Sequence, residues 1–321
     1  MKIGCFLSSE EFGPRDLVEL AVRAEQAGFS GLWISDHYHP WNDEQGHSPF
    51  VWTAIGAIAQ ATDLPLGTGV TCPTIRIHPA VVAHAAATSA ILLGGRFTFG
   101  VGSGEALNEH VLGDRWPGAD ERIEMLEEAI EVMRKLWSGE VVSHRGRHYT
   151  VEHARLYDVP ESPPPVLVSG FGPKATRMAA RVADGFVTTT PDRELISRYR
   201  QEGGRGVVQA GAKVCFGPDE AEAVKTLHRL WPNEQLPGEL AQVLPTPEHF
   251  MQASELVAEE QIAGSPVPCG PDLDQHLEAL RAYEQAGVDE LYVQQVGPLQ
   301  DAFFDTWAKE ILPRFERGPV R

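Results

Sequence analysis

Asp36 and His37 stand side by side in the run Ser35-Asp36-His37-Tyr38-His39-Pro40-Trp41. A carboxylate can orient a neighbouring imidazole, and an imidazole, with an ordinary pKa of about 6.5, can take up a proton near neutrality. The pair also reads as a loop histidine capped by its neighbour. A second run, Gly102-Ser103-Gly104-Glu105-Ala106-Leu107-Asn108-Glu109, combines glycines with carboxylates. The glycines let the backbone approach a ligand closely, and Glu105, if desolvated against an aromatic cofactor, would keep its proton to higher pH and could donate it. A solvated loop glutamate is the plainer account. The run is neither a GxxxxGK[ST] loop nor a GxGxxG after the first strand of a dinucleotide fold. In a third, Gly170-Phe171-Gly172 precedes Pro173, with Lys174 and Arg177 close by. Free N–H groups there suit a phosphate, although a tight strand-to-helix turn explains the residues as well. His37 and His39 form an HxH pair, but a metal needs further ligands, and no His, Asp or Cys stands in an obvious ligand position after the later strands. No metal is expected.

These loops need a frame to hold them. Short apolar, β-rich runs alternate with segments of helical period, the pattern of βα units on a parallel sheet. Strands are expected at Ile3–Leu7, Leu32–Ile34, Leu64–Gly69, Phe97–Val101, Val166–Val168, Phe186–Thr188, Lys213–Phe216 and Glu290–Val293. Helices are expected at Arg15–Ala27, Phe50–Ala61, Pro79–Leu92, Ala119–Trp137, Pro173–Val182, Pro218–Leu230, Asp272–Ala286 and Gln300–Ile311. Pro79 and Pro173 suit first helical turns, while Gly28 and Gly287 suit left-handed helix ends. Eight pairs in 321 residues fit a closed (β/α)8 TIM barrel, one domain over 1–321. Two segments fall outside the repeat, a hairpin at 141–151 and a Pro-rich insertion at 232–269 that should cover the open end near the last strands. In such barrels chemistry gathers on the loops that follow the strands, which is where the three runs above lie.

Lys+Arg number 27 against 45 Asp+Glu, a net charge of −18, with no long basic cluster. Nucleic acid and anionic membrane surfaces are therefore poor partners, and a small-molecule substrate is expected. The apolar start Met1–Leu7 turns polar at Ser8-Ser9-Glu10-Glu11, too soon for a signal peptide or a span, so a cytoplasmic protein is expected. Cys5, Cys72, Cys215 and Cys269 are too scattered to suggest disulfides.

The loops resemble the luciferase-like monooxygenase superfamily, and within it the group similar to coenzyme F420-dependent glucose-6-phosphate dehydrogenase. The resemblance runs almost end to end. It is carried by the Ser35–Trp41 and Gly102–Glu109 runs, Gly46-His47-Ser48-Pro49-Phe50, Leu136-Trp137-Ser138-Gly139, Tyr157-Asp158-Val159-Pro160 and Asp184-Gly185-Phe186. It implies hydride transfer between an alcohol-type carbon and C5 of the deazaflavin F420, with FMN as the alternative cofactor. By the same resemblance His37 takes the hydroxyl proton, Glu105 exchanges a proton with the cofactor ring and Trp41 steadies the transition state. Asp36, Cys72, Ser103, Gly104, Asn108, Phe171 and Gly172 match cofactor-contacting positions, with Gly170 beside them. A non-prolyl cis peptide in the bulge after strand three would fall at Gly69-Val70, and a homodimer through barrel helices is implied. Thr189 lies on the substrate side. The basic residues that hold a sugar phosphate in the family are replaced by Thr189-Thr190-Pro191-Asp192, Met251-Gln252-Ala253 and Gly264-Ser265-Pro266. A dianion without cationic partners binds poorly, so glucose 6-phosphate is not the expected substrate.

Overall fold

The computed structural model describes residues 1–317. The chain runs β1 (Lys2–Leu7), α1 (Pro14–Ala27), β2 (Leu32–Ile34), α2 (Val51–Ile58), β3 (Leu66–Thr68), α3 (Pro79–Leu92), β4 (Phe97–Val101), α4 (Ala106–Glu109) and α5 (Ala119–Leu136). The hairpin β5 (Val142–Arg145) and β6 (Thr150–Ala154) follows, then β7 (Val166–Ser169), α6 (Pro173–Val182), β8 (Gly185–Thr188), α7 (Arg193–Gln201) and β9 (Val207–Val214). Next come α8 (Glu220–Leu230), α9 (Leu240–Val243), α10 (Pro247–Ser254), α11 (Glu259–Ala263), α12 (Leu273–Ala286), β10 (Glu290–Gln295), α13 (Gln300–Thr306) and α14 (Leu312–Arg317), the last two joined by a π-helical turn. Eight parallel strands close in the order β1-β10-β9-β8-β7-β4-β3-β2. This is the expected (β/α)8 barrel.

Three expectations are corrected. The strand placed at Lys213–Phe216 runs instead over Val207–Val214. Its start is hidden in sequence because Gln209 and Gly211 interrupt the apolar run; both face the barrel interior, where Gln209 Oε1 accepts from Trp33 Nε1 at 3.0 Å. The helix Arg193–Gln201 was not expected at all, since only Leu195, Ile196 and Tyr199 of its charged sequence are buried. The expected helix count came out at eight because two of those helices, α8 and α12, share the crossover from β9 to β10. The hairpin reaches Ala154 rather than 151, tied to α5 by Glu128, which accepts the backbone N–H groups of Arg147, His148 and Tyr149. The insertion holds the three short helices α9 to α11.

The main core lies between sheet and helices, as burial of the apolar stripe of each outer helix requires. Inside the barrel, Trp33, Leu167, Val187 and Tyr292 form a plug, with Trp33 stacked on Tyr292 at 4.7 Å. Gly69 makes room for it, since a Cβ there would sit 2.6 Å from the Trp33 ring. Filled from below in this way, the barrel is open to ligands only where the strands end.

Candidate active site

Strand alternation directs Ser8, Ser35 and the residues that follow them toward the open end. The β1–α1 loop contributes Glu10, whose Oε2 accepts from Ser8 Oγ at 2.8 Å and Ser35 Oγ at 2.7 Å. Its other oxygen lies 3.4 Å from His37 Nδ1. On the opposite side, Glu105 Oε1 lies 3.7 Å from His37 Nε2. His37 is thus held between two carboxylates from different loops, and its buried Nδ1 has no hydrogen-bond partner. The Trp41 ring packs edge-on to it at 5.2 Å and is itself braced by Phe250 of α10 at 5.1 Å.

Asn108 fixes the relative position of the two loops. Its Nδ2 donates to Glu105 Oε1 at 2.6 Å, while its Oδ1 accepts from the backbone N–H groups of Tyr38 and His39 at 2.7 and 2.9 Å. His39 points away from His37, with Nδ1 3.0 Å from the Leu107 carbonyl oxygen.

Beneath them lies a second layer. Asp36 accepts from Thr71 Oγ1 at 2.8 Å and pairs with Arg76 at 2.9 Å. Arg76 continues to Glu109, 3.6 Å from its Nε, and Glu109 Oε2 also accepts the backbone N–H groups of Ile75 and Arg76. Burial pushes the Glu109 carboxyl up to about 7, and the neighbouring Arg76 only partly offsets it. Cys72 stands over this layer. Burial, aided by the charges of Glu105, Glu109 and Asp36, lifts its thiol well above the ordinary value, so it is an inert wall rather than a nucleophile.

The expected cofactor positions converge. A Cβ at Gly102 would lie 2.8 Å from Val70 Cγ2 and 3.9 Å from both Cys72 Sγ and Ser169 Cβ, which puts the ends of β3, β4 and β7 on one surface. Ser103 follows Gly102 on that surface. Gly104 has φ +83°, and a side chain there would press on Glu109 Cγ at 2.9 Å. The Gly69-Val70 peptide is cis, as the resemblance implies. Gly170, Phe171 and Gly172 form the turn into α6, with Phe171 exposed and open space at Gly172. Lys174 and Arg177 are turned aside, Lys174 pairing with Asp120 at 2.6 Å and Arg177 with Glu202 at 3.6 Å. Thr189, one residue past β8, is exposed, and its carbonyl oxygen accepts from Tyr283 Oη at 3.0 Å.

Sequence reasoning missed Glu10, Arg76 and Glu109 as site residues, and also Glu11. Glu11 is partly buried, and desolvation raises its pKa despite donors from Trp231, Gln294 and the Gly297 N–H. The available signal was position, because Glu10 and Glu11 follow the first strand as directly as Asp36 follows the second.

The family profile described as luciferase-like monooxygenase matches residues 1–290. The chain is 36% identical over 332 residues to the F420-dependent glucose-6-phosphate dehydrogenase of Microbacterium testaceum (strain StLB037), covering 99% of this chain and 98% of the relative. It is 37% identical over 328 residues to the protein of the same name from Beutenbergia cavernae, covering 98% of this chain and 97% of the relative. Among solved structures it is similar to an F420-dependent secondary alcohol dehydrogenase in complex with an F420-acetone adduct, with a TM-score of 0.90, 30% identity and 98% of each chain covered.

Proposed function

The chain belongs to the luciferase-like monooxygenase family, and on that premise we propose that it is an F420-dependent oxidoreductase that moves a hydride between the deazaflavin and a small alcohol, aldehyde or activated alkene. The observation that carries this reading is His37 set between Glu10 and Glu105 beside Trp41, in a chain similar over nearly its whole length to F420-dependent dehydrogenases.

The residues present fit such a cofactor. Val70, Cys72, Gly102 and Ser103 offer a small-sided wall for a planar ring, and the first-turn N–H groups of α6, beyond the open space at Gly172, suit a phosphate. The deazaflavin supplies the carbon that accepts or gives the hydride. The protein's part is proton handling and placement. His37 receives the proton of the substrate hydroxyl, and Glu10, fixed by two serine hydroxyls, orients the ring and stabilises its charge. Glu105, positioned by Asn108, exchanges a proton at the cofactor side. Trp41 and Phe250 keep water from the hydroxyl-bearing carbon.

Glucose 6-phosphate is not the substrate in this reading, since Asp192, Met251 and Gly264 stand in the stretches that matched the family's phosphate grip. We place the protein in the cytoplasm, in keeping with its four free cysteines and with the absence, among the described residues, of a helix long and apolar enough to cross a membrane. A homodimer is supported by the outer faces of α2 and α3. There Phe50, just before α2, and Thr53, Ala57, Val81, Thr88, Ile91 and Leu92 are exposed, with His84 as the ionisable side chain among them.

Titration of the purified protein with F420 and with FMN, read by tryptophan quenching, tests the assignment. Tight F420 binding followed by F420-dependent oxidation of propan-2-ol supports it. Preference for FMN moves the chain to the flavin branch, and binding of neither removes the site.

A further inference from the structure

Lys213 places an ammonium at the barrel mouth. Along β9, Val207 packs in the interior plug, Gln209 bonds Trp33, and a Cβ on Gly211 would touch the same ring at 3.2 Å, so alternation turns Lys213 inward at the open end. Register sets it opposite Gln294 of β10. The ammonium lies 4.0 Å from the centroid of Trp231 and forms an ion pair with Glu234, in the short turn that opens the insertion. Neither side chain is sealed off, Lys213 being 15% and Glu234 35% exposed.

This corner is joined to the catalytic loops. Trp231 Nε1 donates to Glu11, the neighbour of the carboxylate that faces His37, at 2.6 Å. Asn42 and Gln45 both donate to the Leu230 carbonyl oxygen, and Gln45 Oε1 accepts from the Trp41 N–H at 2.8 Å. Trp41 packs against the cluster that contains Trp231. The mouth therefore has His37 on one wall and the Lys213–Glu234 pair on another.

An ammonium backed by an indole face is a ready partner for a carboxylate or phosphate on a substrate. Here a carboxylate of the same chain already occupies it, at an effective concentration no dilute ligand can match. We infer that Glu234 determines specificity by masking Lys213, so that the site takes neutral alcohols and turns away those bearing a carboxylate or phosphate. The inference rests on the alcohol oxidoreductase reading above and names the substrate charge that reading leaves open.

Binding of inorganic phosphate, measured by isothermal titration calorimetry on the full chain, tests it without cofactor or turnover. Glu234→Gln and Glu234→Ala should each bind phosphate at least tenfold more tightly than the unmodified chain, and the added change Lys213→Met should cancel the gain. In parallel, the ratio of kcat/KM for glucose 6-phosphate to that for propan-2-ol should rise at least tenfold in Glu234→Gln. Unchanged phosphate affinity in both single variants, each with a native melting profile, overturns the inference. So does a gain that survives Lys213→Met. Failure of the F420 reading would show instead as no cofactor binding in the unmodified chain, leaving the phosphate titration to decide the masking.

Discussion

The two ends of the barrel use the same residue types to opposite ends. At the closed end, where the strands begin, carboxylates meet cations in solvent-facing pairs: Lys2 with Glu290 at 3.0 Å, Arg134 with Asp184 at 2.8 Å and Arg200 with Asp289 at 3.3 Å. Asp184 and Asp289 also accept an N–H at the start of a neighbouring strand, from Val166, the first residue of β7, and Val208, the second of β9. At the open end, Glu10, Glu11, Asp36, Glu105 and Glu109 crowd together, with Arg76 as the cation that reaches two of them and His37 lodged between two others. Charge balance below serves register. The excess of carboxylates above leaves an imidazole nitrogen without a partner and a carboxyl with a raised pKa, which are the conditions proton transfer needs.

The largest effect expected from breaking this contrast is at His37. His37→Ala should lower kcat by roughly 10²- to 10⁴-fold, the usual contribution of a general base, while F420 affinity measured by fluorescence stays within a few-fold. A large loss of cofactor affinity would show that His37 binds rather than transfers a proton.

An intermediate effect is expected at Glu109, and it has a sign. Burial raises its pKa from 4.5 to about 7, so the native state keeps a proton that the unfolded chain has already released across that interval. Stability from this group is complete below about pH 4.5 and falls as pH rises toward 7, by roughly 3 kcal/mol at most. Melting temperatures at pH 5 and pH 8 should differ more in the unmodified chain than in Glu109→Gln. An equal difference in both would mean that Glu109 is ionised throughout.

The smallest effect belongs to the closed end. Arg134→Ala removes a half-exposed pair and should cost under about 1 kcal/mol of stability by denaturant titration, with turnover unchanged. A loss of activity there would erase the distinction between the two ends.

Much of the site was legible because its residues directly follow strands whose apolar runs are easy to recognise. His37, Trp41 and Glu105 come from loops after β2 and β4, and the structure brings them together. Glu10 was hidden because Ser8-Ser9-Glu10-Glu11 has the composition of any polar turn, and only closure against Ser35 and His37 gives it a partner. Arg76 was hidden as a lone cation in a loop, and Lys213 because its strand was placed too late in the chain.

The sequence by itself determined the alternation of strand and helix, the loops that carry chemistry and the residues able to transfer a proton, since these depend on local period and residue type. Tertiary structure alone decided which carboxylate faces which nitrogen of His37, and that Glu234 covers Lys213. Those pairings depend on barrel closure and strand register, which set the loops of different strands against one another and bring even β1 against β10, and no local pattern encodes contacts between separate strands and loops.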